Sequence, residues 1–236
     1  MGIIKKERGG IFIDITFIHH SCYTVETEDY FFVFDYFQGE LIIPPHKQLV
    51  FVVSHSHSDH FHPSIFDYKD RSIYILSYDV PVVPGLELIR LRPGDEGALG
   101  GLSLRAFGST DEGISLLIEA KGRRIYFSGD LNFWLWPRYT ATDVADMARD
   151  FTREVDAAAL GQIDLAFGVV DPRMGQFYHL SGEYFIRKLR PRHFFPLHLW
   201  GDFELSDAFK EKYQGEYPET QIHSLQGDGQ QFTLDL

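Results

Sequence analysis

The chain is poor in several things, and each shortage excludes something. Cys22 is its only cysteine among 236 residues, so no internal disulfide can form and cysteine-rich zinc sites drop out. A reducing, cytoplasmic home is expected. No apolar run approaches the length of a membrane span. The opening Met-Gly-Ile-Ile-Lys-Lys-Glu-Arg-Gly-Gly has no signal-peptide core. Basic residues are scattered and outnumbered, 22 Lys and Arg against 34 Asp and Glu, for a net charge of −12. A nucleic-acid partner would call for a basic patch instead. Part of the acidity can offset bound divalent cations, though most of it is ordinary surface charge. There is no repeat, low-complexity tract or long linker.

Hydrophobic residues make up 44% of the chain, enough for one substantial core in a single domain over 1–236. Strands are expected at 11–18, 22–28, 31–36, 49–53, 72–76, 86–91 and 102–106. A hairpin is expected over 114–120 and 123–128, around Lys121-Gly122. Pro63 opens a short helix over 63–69. Helices are expected at 141–160, 181–189 and 204–213, with strands at 163–169, 193–197, 222–225 and 231–235. The segment 214–236 reads as a closing hairpin. This order suggests two mixed sheets with helices on their outer faces.

The most informative stretch is Ser54-His55-Ser56-His57-Ser58-Asp59-His60, which follows the apolar run Leu49-Val50-Phe51-Val52-Val53. Imidazole and carboxylate are ligands preferred by borderline divalent metals. Side chains two apart at a strand end point the same way. His55 and His57 can therefore grip one ion, while Asp59 and His60, on the following turn, reach a second. Three more strands end in candidate ligands: Ser128-Gly129-Asp130, Pro196-Leu197-His198 and Phe107-Gly108-Ser109-Thr110-Asp111. Taken alone, Asp130 reads as a turn residue and His198 as a packed or capping histidine. Their weight comes from joining the first cluster.

With Phe127-Ser128-Gly129-Asp130, Pro196-Leu197-His198 and the early Phe17-Ile18-His19-His20-Ser21-Cys22-Tyr23 and Val33-Phe34-Asp35, the chain resembles the metallo-β-lactamase-fold hydrolase superfamily. The early segments look like its lactonase-like and phospholipase-like branches. The resemblance implies an α/β fold, a four-layer αββα sandwich of two mixed sheets, with a binuclear metal site at one edge. It assigns His55 and His57 to the first metal, and Asp59, His60 and His198 to the second, with Asp130 bridging. The chain departs from the family in one place. The loop 108–113 has no histidine where the first metal usually finds its third. Asp111 could supply an oxygen instead, against its reading as a turn or cap acid. Otherwise only one ion is held tightly.

Two divalent ions are expected, zinc first, with iron or manganese as alternatives. A bound ion lowers the pKa of water from about 15.7 to about 7 and so supplies hydroxide at neutral pH. Asp59 is the catalytic candidate, orienting the nucleophile and accepting its proton. The reaction is hydrolysis of an ester, lactone, amide or phosphodiester bond in a small, anionic or amphipathic molecule. Arg173 could hold a substrate carboxylate or phosphate, with a structural ion pair as the plainer reading. His179 could face the cleft, with a helix-start or packing role as the plainer one. Trp134, Trp136 and Trp200 could wall an apolar pocket, and His20 and His62 could orient ligands. The runners-up are a metal- or ligand-binding module without turnover and a compact phosphodiesterase or nuclease-like member. Nothing specifies an oligomer, although edge strands leave room for a homodimer.

Overall fold

Residues alternate between two cores along the first half of the chain. The protein is described by a computed structural model over residues 12–235, so the opening residues, where a signal core was sought and the first strand was expected to begin, lie outside it. Strands β1 (Phe12–His19), β2 (Cys22–Glu26), β3 (Tyr30–Phe34), β4 (Gln48–Val53), β5 (Ser72–Ser77) and β6 (Glu87–Leu91) lie side by side. Successive strand side chains face opposite ways. Phe32, Phe34, Val50 and Val52 therefore enter one apolar cluster, while Phe31, Val33, Leu49, Phe51 and Val53 enter another. Both faces of the sheet are covered, which suits the parallel pairing of β3 to β6.

The second sheet holds β7 (Glu96–Leu99), β8 (Leu102–Phe107), β9 (Ser115–Ala120), β10 (Arg123–Phe127), β11 (Leu165–Val169), β12 (His193–Leu197) and β13 (Gln221–Ile222). The last strand, β14 (Gln231–Asp235), returns to the first sheet beside β1. The sheets meet through aromatic pairs such as Phe34 with Phe127 and Tyr23 with Phe167, with ring centroids 4.8 and 4.9 Å apart. On the other face of the second sheet lie α1 (Ala141–Ala158), α2 (Leu180–Leu189) and α3 (Glu204–Tyr213). There Tyr126 meets Phe185 and Phe194 meets Phe209. A 3-10 helix at Pro63–Arg71 covers the first sheet with Ile65 and Phe66. The result is the expected four-layer α/β sandwich. No helix among the described residues is long and apolar enough to cross a membrane.

Strand direction places the site. In the first sheet β1 and β3 both run opposite to β2, and β4 runs with β3. In the second, β8 and β10 both run opposite to β9, and β11 and β12 run with β10. The carboxyl ends of these strands share one edge, where layered α/β folds commonly build their sites.

The C-terminus corrects one expectation. Residues 214–236 form no hairpin, because β13 pairs with β12 in the second sheet and β14 with β1 in the first. The free edge of β1 offers five paired positions to β14, more than a two-residue β13 could. The short β7, with a glycine in its four residues, carried too little periodicity to be expected.

Beneath this crossing His223 stacks on Phe195, ring centroids 4.1 Å apart, with Nε2 3.0 Å from His193 Nδ1. Burial first, then the neighbouring His193 and Lys210, pushes its pKa from 6.5 down to about 3. Between those values the unfolded chain binds a proton that the folded chain refuses, so stability falls as pH drops through that window. His223→Leu should therefore narrow the gap between urea midpoints measured at pH 7 and pH 5. An unchanged gap would show that His223 contributes nothing to acid sensitivity.

Candidate metal centre

The turn after β4 is fixed from beneath by Asp35, the fully buried residue that follows β3. Its Oδ1 accepts the backbone N–H of Ser54 at 2.7 Å, and its Oδ2 accepts the Ser54 hydroxyl at 2.6 Å. His60 Nδ1 lies 2.7 Å from the same Oδ2. A carboxylate only accepts, so His60 donates a proton from Nδ1 to Asp35 and turns Nε2 to the interior. The Ser54 hydroxyl, having donated to Asp35, accepts from His55 Nδ1 at 2.9 Å. His55 thereby also carries a proton on Nδ1. Asp79 pins the turn between the two histidines by accepting Ser56 N–H at 2.7 Å.

His198, at the end of β12, repeats the device. Its Nδ1 lies 2.8 Å from Asp171 Oδ2, the nearest of its polar contacts and an acceptor. Arg173 closes on the same carboxylate through Nε and Nη2, at 3.0 and 2.6 Å. The guanidinium is covered by Trp134, Trp136 and Trp200, with Cζ 5.2, 5.5 and 4.8 Å from their ring centroids. Trp134 and Trp200 also meet the His198 ring, with centroids 6.2 and 5.4 Å away.

The donors converge. Asp130 Oδ1 lies 3.1 Å from His60 Nε2 and 3.2 Å from His198 Nε2, and these two nitrogens are 3.3 Å apart. Donors set tetrahedrally about 2.0–2.1 Å from one centre are about 3.3 Å apart, so these three atoms outline one face of a coordination shell. The other oxygen, Oδ2, lies 3.7 Å from His55 Nε2. The donor atoms of His55, His57 and Asp130 fall within 4.8 Å of one another, as do those of His20, Asp59, His60 and His198. His55 Nε2, His20 Nε2 and Asp130 Oδ1 are buried without a hydrogen-bond partner. Buried polar atoms are costly to leave so, and nitrogen and oxygen donors of this kind fit a borderline divalent cation.

The electrostatics agree with that fit. Burial pushes His55 and His20 down to about 4, which keeps them neutral. Burial alone would also lower His60 and His198, but Asp130 and the carboxylates behind them raise both instead. Asp130 is desolvated, yet His60 and His198 hold it well below the usual carboxylate range. A cation bound here would take the place of those protons.

The loop 108–113 lies against the histidine turn because Gly113, at φ +76°, has no side chain. A Cβ there would stand 2.0 Å from Ser54 O and 2.5 Å from His55 Cβ. This approach brings the exposed Glu112 within 3.5 Å of His57 Nε2. Asp111 is raised by desolvation and by the negative charge of Asp130. His179 stands apart: its Nδ1 is 2.6 Å from Tyr213 Oη and its ring packs on Tyr178. His62 bonds Ser64 at the start of the 3-10 helix. The structure thus gathers His55, His57, Asp59, His60, Asp130 and His198, whereas Asp111 is exposed on its loop and lies outside these donor groups. The sequence reading overlooked the anchoring roles of Asp35 and Asp171, and overlooked Glu112 altogether. An acid one residue past an apolar strand, as at Asp35, is the signal that could have found the first.

Asp35→Ala would leave three donors, Ser54 N–H, the Ser54 hydroxyl and His60 Nδ1–H, without their acceptor in a buried place. The expected loss is at least about 3 kcal/mol, at about 1–3 kcal/mol per unmet donor, read from urea denaturation of the chelated protein. A loss below about 1 kcal/mol would mean that water meets those donors.

Comparison with known proteins agrees with the fold. Residues 14–135, just over half of the chain, match the family described as Beta-lactamase superfamily domain. No curated protein matches the chain significantly by sequence. In structure it is similar to Igni18, a novel metallo hydrolase from the hyperthermophilic archaeon Ignicoccus hospitalis, with a TM-score of 0.68 and 15% identity over 95% of this chain and 99% of that one. YhfI from Bacillus subtilis, a metallo-beta-lactamase fold protein, gives a TM-score of 0.62 and 11% identity over 94% and 99%. CmlA, a diiron beta-hydroxylase from Streptomyces venezuelae, gives 0.64 and 11% over 98% of this chain but 55% of that one. At such identities these likenesses carry the fold alone. The family match and the two seven-stranded sheets together place this chain in the beta-lactamase superfamily, with the metallo-β-lactamase fold.

Proposed function

We propose that the chain is a metal-dependent hydrolase working with two divalent ions that share Asp130. The observation that carries this reading is the division of Asp130, one oxygen toward His60 and His198 and the other toward His55. His55, His57 and Asp130 would hold the first ion, with Asp111 taking the place of the absent histidine. Asp59, His60, His198 and Asp130 would hold the second. Asp111 and Glu112 are both exposed on the loop, Glu112 reaching His57 Nε2 at 3.5 Å, so the loop offers two carboxylates for the place of the absent histidine, with Asp111 the residue we assign. The donors suit zinc, with iron and manganese as alternatives.

Bound divalent ions supply Lewis acidity and acidify a water at neutral pH. The chain's own residues do the rest. Asp59, whose Oδ2 lies 3.5 Å from His20 Nε2, is held below the usual carboxylate range; it would stay ionised and orient the nucleophile, and as a base it would be weak. A cavity of about 460 Å3 beside Asp59 is walled by Phe17, Phe37, Leu199, Trp200 and Phe203. It supports a small substrate with an apolar part, cleaved at an ester, lactone, amide or phosphodiester bond. Arg173 does not line this cavity; its Nε and Nη2 are engaged by Asp171, the structural ion pair.

Elemental analysis of the purified chain should find about two ions, as a shared-carboxylate pair requires. Asp111→Asn should carry about one, and Glu112→Gln should keep both. Turnover on an ester, lactone and phosphodiester panel should vanish on chelation and return with added metal. Two ions with no turnover on any of these bonds would favour a binding module, and no metal after reconstitution would remove the reading altogether.

A further inference from the structure

His20 is the buried donor at this centre that the two proposed sites leave without a role. It follows the end of β1 at a backbone φ of +55°, a strained conformation for a residue with a side chain. Its ring packs edge-on against Trp200 at 4.5 Å and lies 4.1 Å from the ring of His198. These contacts aim Nε2 into the centre, where it is buried and has no hydrogen-bond partner. Asp59 Oδ2 is the nearest acidic oxygen, at 3.5 Å, too far for a sound hydrogen bond. The donor atoms of His20, Asp59, His60 and His198 nevertheless all lie within 4.8 Å of one another. Ligands about 2.0–2.2 Å from one ion are at most about 4.4 Å apart, so modest side-chain movement brings all four to a common point.

We infer that His20 is a direct ligand of the second ion. This rests on the binuclear reading above and changes its balance. The second site then has three imidazoles, His20, His60 and His198, with Asp130 and Asp59. The first has two imidazoles with carboxylates, one of them on an exposed loop. The second site becomes the richer in nitrogen, the better ordered, and the first to fill. Its partners in softness are zinc, iron, cobalt and nickel rather than magnesium or calcium.

The test compares the cobalt(II)-loaded full-length protein with its His20→Asn variant. Asn keeps an N–H for Asp59 but is a poor ligand, so a residue that merely orients Asp59 would be replaced by it without loss. Paramagnetic proton NMR reads the ring protons of each coordinated imidazole, and chelator competition reads affinity. If His20 is a ligand, the variant loses one shifted imidazole set, and the tightest ion is held more than about 100-fold less well, beyond the 10–100-fold expected of an outer-sphere contact. The wild-type spectrum alone is a second reading, with three imidazole sets at one equivalent of cobalt against two without His20. Two sets in the wild type, or an unchanged spectrum and affinity in the variant, would overturn the inference while leaving the binuclear reading intact. Failure of the wild type to bind any cobalt would remove both.

Discussion

One buried carboxylate sets up the candidate centre. Asp35 is fully buried, and a charge in that position is tolerable only if its hydrogen-bonding capacity is met. The groups that meet it are the backbone and hydroxyl of Ser54 and the ring of His60. Satisfying Asp35 therefore fixes three things: the path of the chain leaving β4, the tautomer of His60, and, through the Ser54 hydroxyl, the tautomer of His55. Asp171 does the same for His198 from the second sheet. The two sheets thus each present histidines with Nε2 inward, and Asp130 stands where the two sets meet.

Backbone strain gathers at the same edge. Six described residues other than glycine have positive φ, and four of them, His20, Asp35, His198 and Trp200, belong to the centre or its wall. Each such residue costs on the order of 1–3 kcal/mol unless its surroundings over-determine it. His20, Asp35 and His198 each lie one residue beyond a strand, and their buried side chains turn inward. The left-handed residue is the means by which a straight strand ends in a ligand aimed sideways. Gly113 and Gly129 serve the complementary need, since a Cβ on either would meet Ser54 within 2.6 Å.

Much of this was legible in the sequence, for identifiable reasons. His55, His57, Asp59 and His60 stood out because they are contiguous and follow an apolar run. Asp130 and His198 were visible through their place after strands, and through resemblance. Asp35 and Asp171 were visible as residues but not as anchors, because their partners lie 25 and 27 positions away in sequence and only the folded chain brings them together. Arg173 is a related case. The sequence shows an arginine two residues from an aspartate, but not the three indoles that cover it, drawn from two distant segments. The C-terminus misled because a hairpin and a crossover between sheets have the same local pattern, strand, glycine-rich turn, strand. What decides between them is the open edge of β1, more than 200 residues earlier.

The missing histidine makes sense against this background. The donors of the proposed second site, His60, His198 and Asp130, are buried, and the two histidines are anchored to carboxylates that the fold itself needs. Replacing any one of them would strand a charge or a donor inside the protein, with a loss in stability of about 3–5 kcal/mol for a broken buried pair. The proposed first site is built differently. His57 is 44% exposed, and its neighbour Glu112 is 57% exposed on a loop between β8 and β9. A ligand exchanged there meets water rather than core, so the fold imposes almost no penalty on the change. Substituting a carboxylate for a neutral imidazole also adds a negative charge beside Asp130, whose field already raises Asp111. That added repulsion is relieved by a proton or by a cation. A carboxylate from this loop, if it serves the proposed first site, would leave the architecture beneath it untouched.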